Sequence, residues 1–194
     1  MSVESVVGAP GARLAQTMSS VADGHALKSV VVTSSLAAVG AAFELVSRWC
    51  PELQAELADW DDGLIFVMGV LPAGPYMAVK NEGGRVRYLG LRDVPDAGIK
   101  ILFKSLDDAV LSFTAQLGTH TAVIQRRFVV HGNVADGMRI SRALNIVQTY
   151  VLPIALLRKV YKRPPVMTPA KMWIKARVMA GLGPLLVTHA VRSE

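Results

Sequence analysis

The segment Ile99 to Pro153 constrains the fold of this chain more than any other. Two short apolar runs, Ile99 to Phe103 and Phe128 to His131, have the length of strands, and between them Leu106, Val110, Leu111 and Phe113 recur at helical steps. A second helix is predicted directly after Gly132-Asn133, so the order is strand, helix, strand, helix. Upstream, Leu64 to Leu71 is a continuous apolar run bounded by Asp-Gly and Pro-Ala-Gly-Pro, which fits a strand buried on both faces better than a short helix. Tyr76 to Lys80 and Val86 to Leu89 flank Asn81-Glu82-Gly83-Gly84, whose glycines suit a hairpin turn. A three-strand meander plus two more strands gives about five, with helices inserted after the fourth and the fifth. The expected class is α+β, with helices covering one face of the sheet.

Both ends read as extensions of this unit. Residues 1–22 are rich in Ser, Gly, Ala and Val without a clear period and read as a mobile leader. Leu27 to Trp49 reads as a helix in which Val31, Ser35, Ala38, Ala42, Leu45 and Trp49 recur at three- and four-residue steps. Pro51 opens a shorter helix to Trp60, with Glu52, Glu56 and Asp59 along it, and Asp61-Asp62-Gly63 ends it. The expected organisation is a leader over 1–22, a domain over 23–163 and a basic helical extension over 164–194, jointed at Pro164-Pro165.

A hydrophobic fraction of 52% and a mean hydropathy of +0.37 exclude a disordered chain. The longest uncharged runs, Ser29 to Phe43 and Ala143 to Leu157, are 15 residues each. That is short of the roughly 18 to 20 clean apolar residues of a spanning helix, so no transmembrane segment is expected. Glu4 precedes any apolar run and a basic n-region is lacking, which argues against a secretory signal and makes cytoplasmic residence the default. The single cysteine, Cys50, cannot form an internal disulfide and reads as a half-buried small hydrophobe.

An ordered set of residues in the second half carries a family resemblance: Phe103, Leu106-Asp107-Asp108, Ala122, Phe128-Val129-Val130, Gly132-Asn133, and the amphipathic run ending Tyr150-Val151-Leu152-Pro153. Together they resemble the sterol carrier protein type-two family, small domains that enclose a lipid in an apolar tunnel. The resemblance runs from about Trp60 to Pro153. Family members usually carry Asp where this chain has Asn133, which caps a helix about as well, and often a Gly-Lys pair where Arg126-Arg127 stands. The resemblance implies a lipid carrier, not a catalyst, with an apolar tunnel between sheet and helices. Taken with strand alternation, it implies a lining of Phe66, Met68, Phe103, Leu106, Val110, Phe113, Phe128, Val130, Met138 and Ile146. Eight Met residues suit a pliable lining. Helices packed in an ordinary core show the same periodicity, so the tunnel rests on the resemblance.

Charge is asymmetric along the chain. From Gly137 onward there are ten Lys and Arg against Glu194 alone, out of totals of 21 basic and 15 acidic residues. Arg158, Lys159, Lys162, Arg163, Lys171 and Lys175 are the candidates for docking on an anionic membrane surface, with Arg177 on the far side of the helical wheel from the last two. Nucleic acid is not an expected partner: the basic residues are interleaved with Pro, Met and Leu, and no helix-turn-helix or ribonucleoprotein motif is present.

Catalytic constellations are missing from the sequence. Asp107-Asp108 follow Ser105 in the first turn of a predicted helix, where they compensate unpaired amides, and Asp61-Asp62 sit in a turn. His25, His120, His131 and His189 have no metal-ligand spacing, phosphate-loop glycine patterns are lacking, and no serine lies in a nucleophile elbow. No catalytic residue, metal or cofactor is therefore assigned. The expected function is noncovalent binding and transfer or presentation of a sterol, fatty acyl or isoprenoid lipid. Two alternatives stay open: an accessory protein of lipid or quinone metabolism acting through an apolar surface, and a small acyl-transforming enzyme.

Overall fold

The computed structural model describes residues 9–113, 127–151 and 168–192. Ala122, Arg126, Arg158, Lys159, Lys162, Arg163 and the Pro164-Pro165 joint lie outside the described residues. Two helices, α1 (Ala9–Trp49) and α2 (Pro51–Ala58), precede four strands, β1 (Ile65–Val70), β2 (Tyr76–Glu82), β3 (Arg85–Gly90) and β4 (Ile99–Phe103). Then follow α3 (Leu106–Phe113), β5 (Phe128–His131), α4 (Val134–Val151) and α5 (Pro169–Arg192). The strands form one mixed sheet in the order β3-β2-β1-β4-β5, parallel between β1 and β4 and antiparallel elsewhere. This is the five-stranded α+β architecture expected. The helix α1 begins at Ala9, well before Leu27, where the periodicity of the sequence begins.

Local chemistry explains the strand joints. Glu82 pairs with Arg85 across Gly83 and Gly84, whose φ values of +60° and +80° make a two-residue turn that L side chains rarely adopt. The Asp62 carboxylate accepts the Gly83 amide at 2.8 Å and ties this turn to the end of the α2 segment. β1 is central and buried on both faces, as its unbroken apolar run requires. Phe66, Met68, Met77, Val79, Ile99, Ile101 and Phe103 face the helices with period two and join the main core. Val67, Ala78 and Leu102 are buried on the other face, where Lys100 bonds Asp93 at 2.8 Å and brings the 91–98 connection across.

The helix α1 crosses the helix-facing side of the sheet. Its fully buried stripe is Val32, Leu36, Phe43 and Val46, with Val39 between, and Phe43 meets Phe66 edge-on at 6.4 Å between ring centroids. The stripe read from sequence, Val31, Ser35, Ala38, Ala42, Leu45 and Trp49, lies one residue away and is only partly enclosed, with Trp49 exposed. Part of it packs on α5, where Gly181 stands against the Leu45 side chain. Every residue from Val39 to Ser47 is buried, so the last turns of α1 before Arg48 have no exposed polar face to orient a helical wheel. The stretch Gly24–Trp49 is long and apolar enough to cross a membrane, and half of its most apolar window is buried inside the fold.

Two polar residues in this apolar stretch close the sheet edge. Among the described residues β3 has no strand on its outer side, and there the Tyr88 amide donates to Glu44 Oε2 at 2.9 Å and the Val86 amide to Ser47 Oγ at 3.1 Å. Ser47 in turn donates to the Glu44 carbonyl, and the Glu44 carboxylate is paired with Arg48. Burial pushes the Tyr88 phenol up to about 12 from its ordinary 10.0.

Gly40 lets α1 lie on Tyr88: a Cβ there would fall 2.4 Å from the ring. Glycine inside a helix ordinarily costs about 1 kcal/mol relative to alanine, so Gly24→Ala, with nothing within 4 Å, should stabilise the protein. Gly40→Ala should instead destabilise by about 1 to 3 kcal/mol. Urea unfolding of the two variants checks the opposite signs; equal effects would place α1 elsewhere. The Tyr88 shift gives a second expectation. A raised folded value means the neutral phenol is favoured by folding, so that stabilisation is whole below pH 10 and is lost as pH rises towards about 12. Unfolding at pH about 9 and about 11.5 should show a loss in wild type that is smaller in Tyr88→Phe.

Candidate functional site

An aromatic cluster forms where β4, α3 and β5 meet. Phe103 stands between Phe113 and Phe128, with centroid separations of 5.7 and 6.2 Å and both pairs edge-on. Phe103 is buried, whereas Phe113 and Phe128 are only partly buried. Register places Phe103 and Phe128 directly opposite each other on adjacent antiparallel strands, and the α3 helix brings Phe113 back over them. Leu106 and Val110 of α3 and Ile146, Leu144 and Val151 of α4 are likewise partly buried against the core.

The start of α3 is fixed by the chemistry expected of Ser105. Its hydroxyl accepts the Asp108 amide at 3.2 Å and donates to Asp108 Oδ2 at 2.9 Å. The other Asp108 oxygen takes Arg127 Nη1 at 2.6 Å, so the residue preceding β5 is pinned to the first turn of α3. Asp107, beside it, pairs with Lys28 of α1 at 2.6 Å. The aromatic cluster is thus held by a polar frame lying on its flank. The second helix has the expected cap as well: Asn133 Oδ1 accepts the Ala135 amide at 3.0 Å.

The residues expected to line a tunnel fall into three groups. Phe66, Met68 and Phe103 are buried in the sheet's helix-facing core. Leu106, Val110, Phe113, Phe128 and Ile146 sit at the core margin, partly exposed. Val130 and Met138 do not join them; they are 41% and 60% exposed. Val130 lies on β5, the end strand of the sheet among the described residues, whose last two residues are exposed. On α4 the core stripe is Ile140, Ala143, Val147 and Tyr150, and Met138 stands two residues before it, about 200° around the helix.

The basic candidates separate too. Lys171 is engaged with Glu52 at 2.8 Å, and Lys175 donates to the Thr149 carbonyl at 3.1 Å near the end of α4. Burial lowers the Lys175 ammonium, consistent with a cation turned inward. Arg177, set apart by the helical wheel, is exposed and stacks on Trp173 and Trp49.

Sequence reasoning missed the buried polar contacts. Cys50 is fully buried, and its thiol donates to the Tyr150 hydroxyl at 3.4 Å across 100 residues of sequence. Burial first, and then this bond, push the Tyr150 phenol upward. Glu44 offered one signal, the one charged residue between Ser29 and Ser47, which needs a buried partner. Among the described residues no three His, Cys, Asp or Glu side chains converge as a metal site. The margin cluster offers apolar surface with a polar frame, an arrangement suited to holding a greasy group by water exclusion.

These elements and their strand order define an α+β domain built on one mixed five-stranded sheet. Solved structures that resemble it include a ubiquinone synthesis protein described as UbiJ-SCP2, at 10% identity and a TM-score of 0.40 over 54% of this chain and 90% of that one. Palmitated SCP2L2 from Aedes aegypti matches at 13% identity and a TM-score of 0.34 over 48% and 87%. The sterol carrier protein domain 2 of Helicoverpa armigera matches at 19% identity and a TM-score of 0.36 over 58% and 86%. The chain matches no family model and, at a significant level, no curated protein.

Proposed function

We propose that this protein binds a lipid or acyl chain noncovalently in an apolar tunnel between the sheet and helices α3 and α4, and transfers or presents it without chemical change. The observation that carries this reading is the margin cluster. Three elements, β4, α3 and β5, bring Phe103, Phe113 and Phe128 together, and Phe113 and Phe128 remain partly exposed, as do Leu106 and Val110 of α3 and Ile146 of α4 at the core margin. Apolar surface of this kind gains about 25 cal/mol per Å² when a ligand covers it, which supplies affinity without any single obligatory contact. The lining in this reading is Phe66, Met68, Phe103, Leu106, Val110, Phe113, Phe128 and Ile146. The family resemblance of the same stretch of sequence supports the reading, and residence in the cytoplasm with peripheral membrane contact goes with it.

Native mass spectrometry of the purified protein, followed by organic extraction, tests the proposal. A copurifying acyl lipid, sterol or isoprenoid quinone is expected. Turnover of an acyl thioester would replace carriage by catalysis. Phe113→Trp and Phe128→Trp should each cut the capacity for long-chain ligands while leaving the urea midpoint nearly unchanged, because a cavity wall accepts added volume at the ligand's expense. A packed core would instead lose about 1 to 3 kcal/mol on the same change. Loss of stability with unaltered ligand capacity would make the cluster ordinary core.

A further inference from the structure

The helix α5 buries one side through Ile174 and Val178 and through Gly181 on Leu45. Its other side faces solvent, and it is apolar. Met172, Trp173 and Met179 are each more than half exposed, and Ala176, Ala180 and Gly183 lie exposed among them. A surface helix whose core stripe is already satisfied ordinarily presents charge there. Trp49, at the end of α1 and 44% exposed, joins this face, its ring perpendicular to that of Trp173 at 6.3 Å. The Arg177 guanidinium lies over both rings, 4.1 Å from the Trp173 centroid and 4.5 Å from that of Trp49.

We propose that this face, Trp49, Met172, Trp173, Arg177 and Met179, docks the protein on the headgroup region of an anionic phospholipid bilayer. Three features select that occupant. Tryptophan and arginine settle at the membrane boundary, where an apolar body is buried while a polar tip keeps contact with water and phosphate. Thioether side chains beside them add apolar area with no charge to desolvate. The face carries a cation of its own, Arg177, stacked on both tryptophans, and the sequence from Gly137 onward has ten Lys and Arg against a single acid, Glu194. Glu52 of α2 is held by Lys171 of α5. A nucleic acid would match the charge but leave the methionines and alanines against water.

The docking face is distinct from the margin cluster on β4, α3, β5 and α4, and the proposal stands whether or not that cluster holds a ligand. It is tested with the full-length protein and vesicles of phosphatidylcholine containing phosphatidylglycerol, with and without brominated acyl chains, and with pure phosphatidylcholine. Cosedimentation with the anionic vesicles is expected, weakening as salt is raised. Brominated lipid should quench the tryptophan fluorescence of wild type but not of Trp49→Phe/Trp173→Phe, whose remaining tryptophan, Trp60, is buried in the core. Met172→Ser/Met179→Ser alters two exposed side chains, so it should keep its melting temperature and lose about tenfold in vesicle partitioning, equivalent to about 1.4 kcal/mol. Equal partitioning of that variant and wild type overturns the proposal, as does unchanged quenching in the tryptophan variant. So does a methionine variant that dissociates a wild-type dimer while binding vesicles normally, which makes the face a self-interface, or displacement of vesicles by duplex DNA. Ligand capacity is read separately in vesicle-free solution, so failure of docking and failure of lipid carriage are distinguishable.

Discussion

Glu44 and Ser47 lie in the most enclosed part of α1, surrounded by Ala41, Ala42, Phe43, Leu45 and Val46, and both are buried. Their oxygens take the Tyr88 and Val86 amides of the outermost strand. An open sheet edge in water invites pairing with another chain, and a buried amide left unpaired costs about 1 to 3 kcal/mol. One helix therefore covers the sheet with its apolar stripe and seals the sheet's edge with its two polar groups. The rest of the architecture follows from where this fixes α1. Gly40 allows the approach to Tyr88, Phe43 reaches Phe66, and Lys28 at the middle of α1 meets Asp107 at the start of α3.

With α1 set, the two ends of the sheet become unlike. The β3 edge is closed by hydrogen bonds from a helix. At the β5 end cover is partial: Val130 and His131 are exposed, and Phe113, Phe128, Leu106 and Ile146 remain half open. Apolar surface concentrates at the end where packing is least complete, which is where exclusion of water from a ligand would gain most. The Asp108–Arg127 pair beside it is partly exposed, so its net worth in stability is small; its role is to hold the α3 and β5 ends in register.

Helix α5 shows the same economy of faces from outside. Gly181 admits Leu45, Lys175 turns inward to the end of α4, and Lys171 reaches α2. Those commitments leave Met172, Trp173, Arg177 and Met179 outward with Trp49, a face whose composition differs from that of a solvated helix.

Much of this was legible in the sequence because the signals are local. The apolar run of β1, the Gly83-Gly84 turn, the Ser105 and Asn133 caps and the strand, helix, strand, helix order from Ile99 onward each depend on neighbours a few residues apart. The stripe of α1 was misplaced by one residue because alanine, valine and leucine occupy every side of its middle, so periodicity there carries no phase. Strand alternation and the family resemblance point Met138 and Val130 inward, yet both are exposed, because depth depends on what packs over the end strand and the first turns of α4. The parallel pairing of β1 with β4, the Cys50–Tyr150 bond and the cation between Trp49 and Trp173 join residues far apart in sequence. By itself the sequence determined which segments are helix and strand, since hydrogen bonding and side-chain period are local. Only the tertiary structure decided which apolar residues are core, which are site margin and which are outer surface, because burial is a property of what packs against a residue and not of the residue itself.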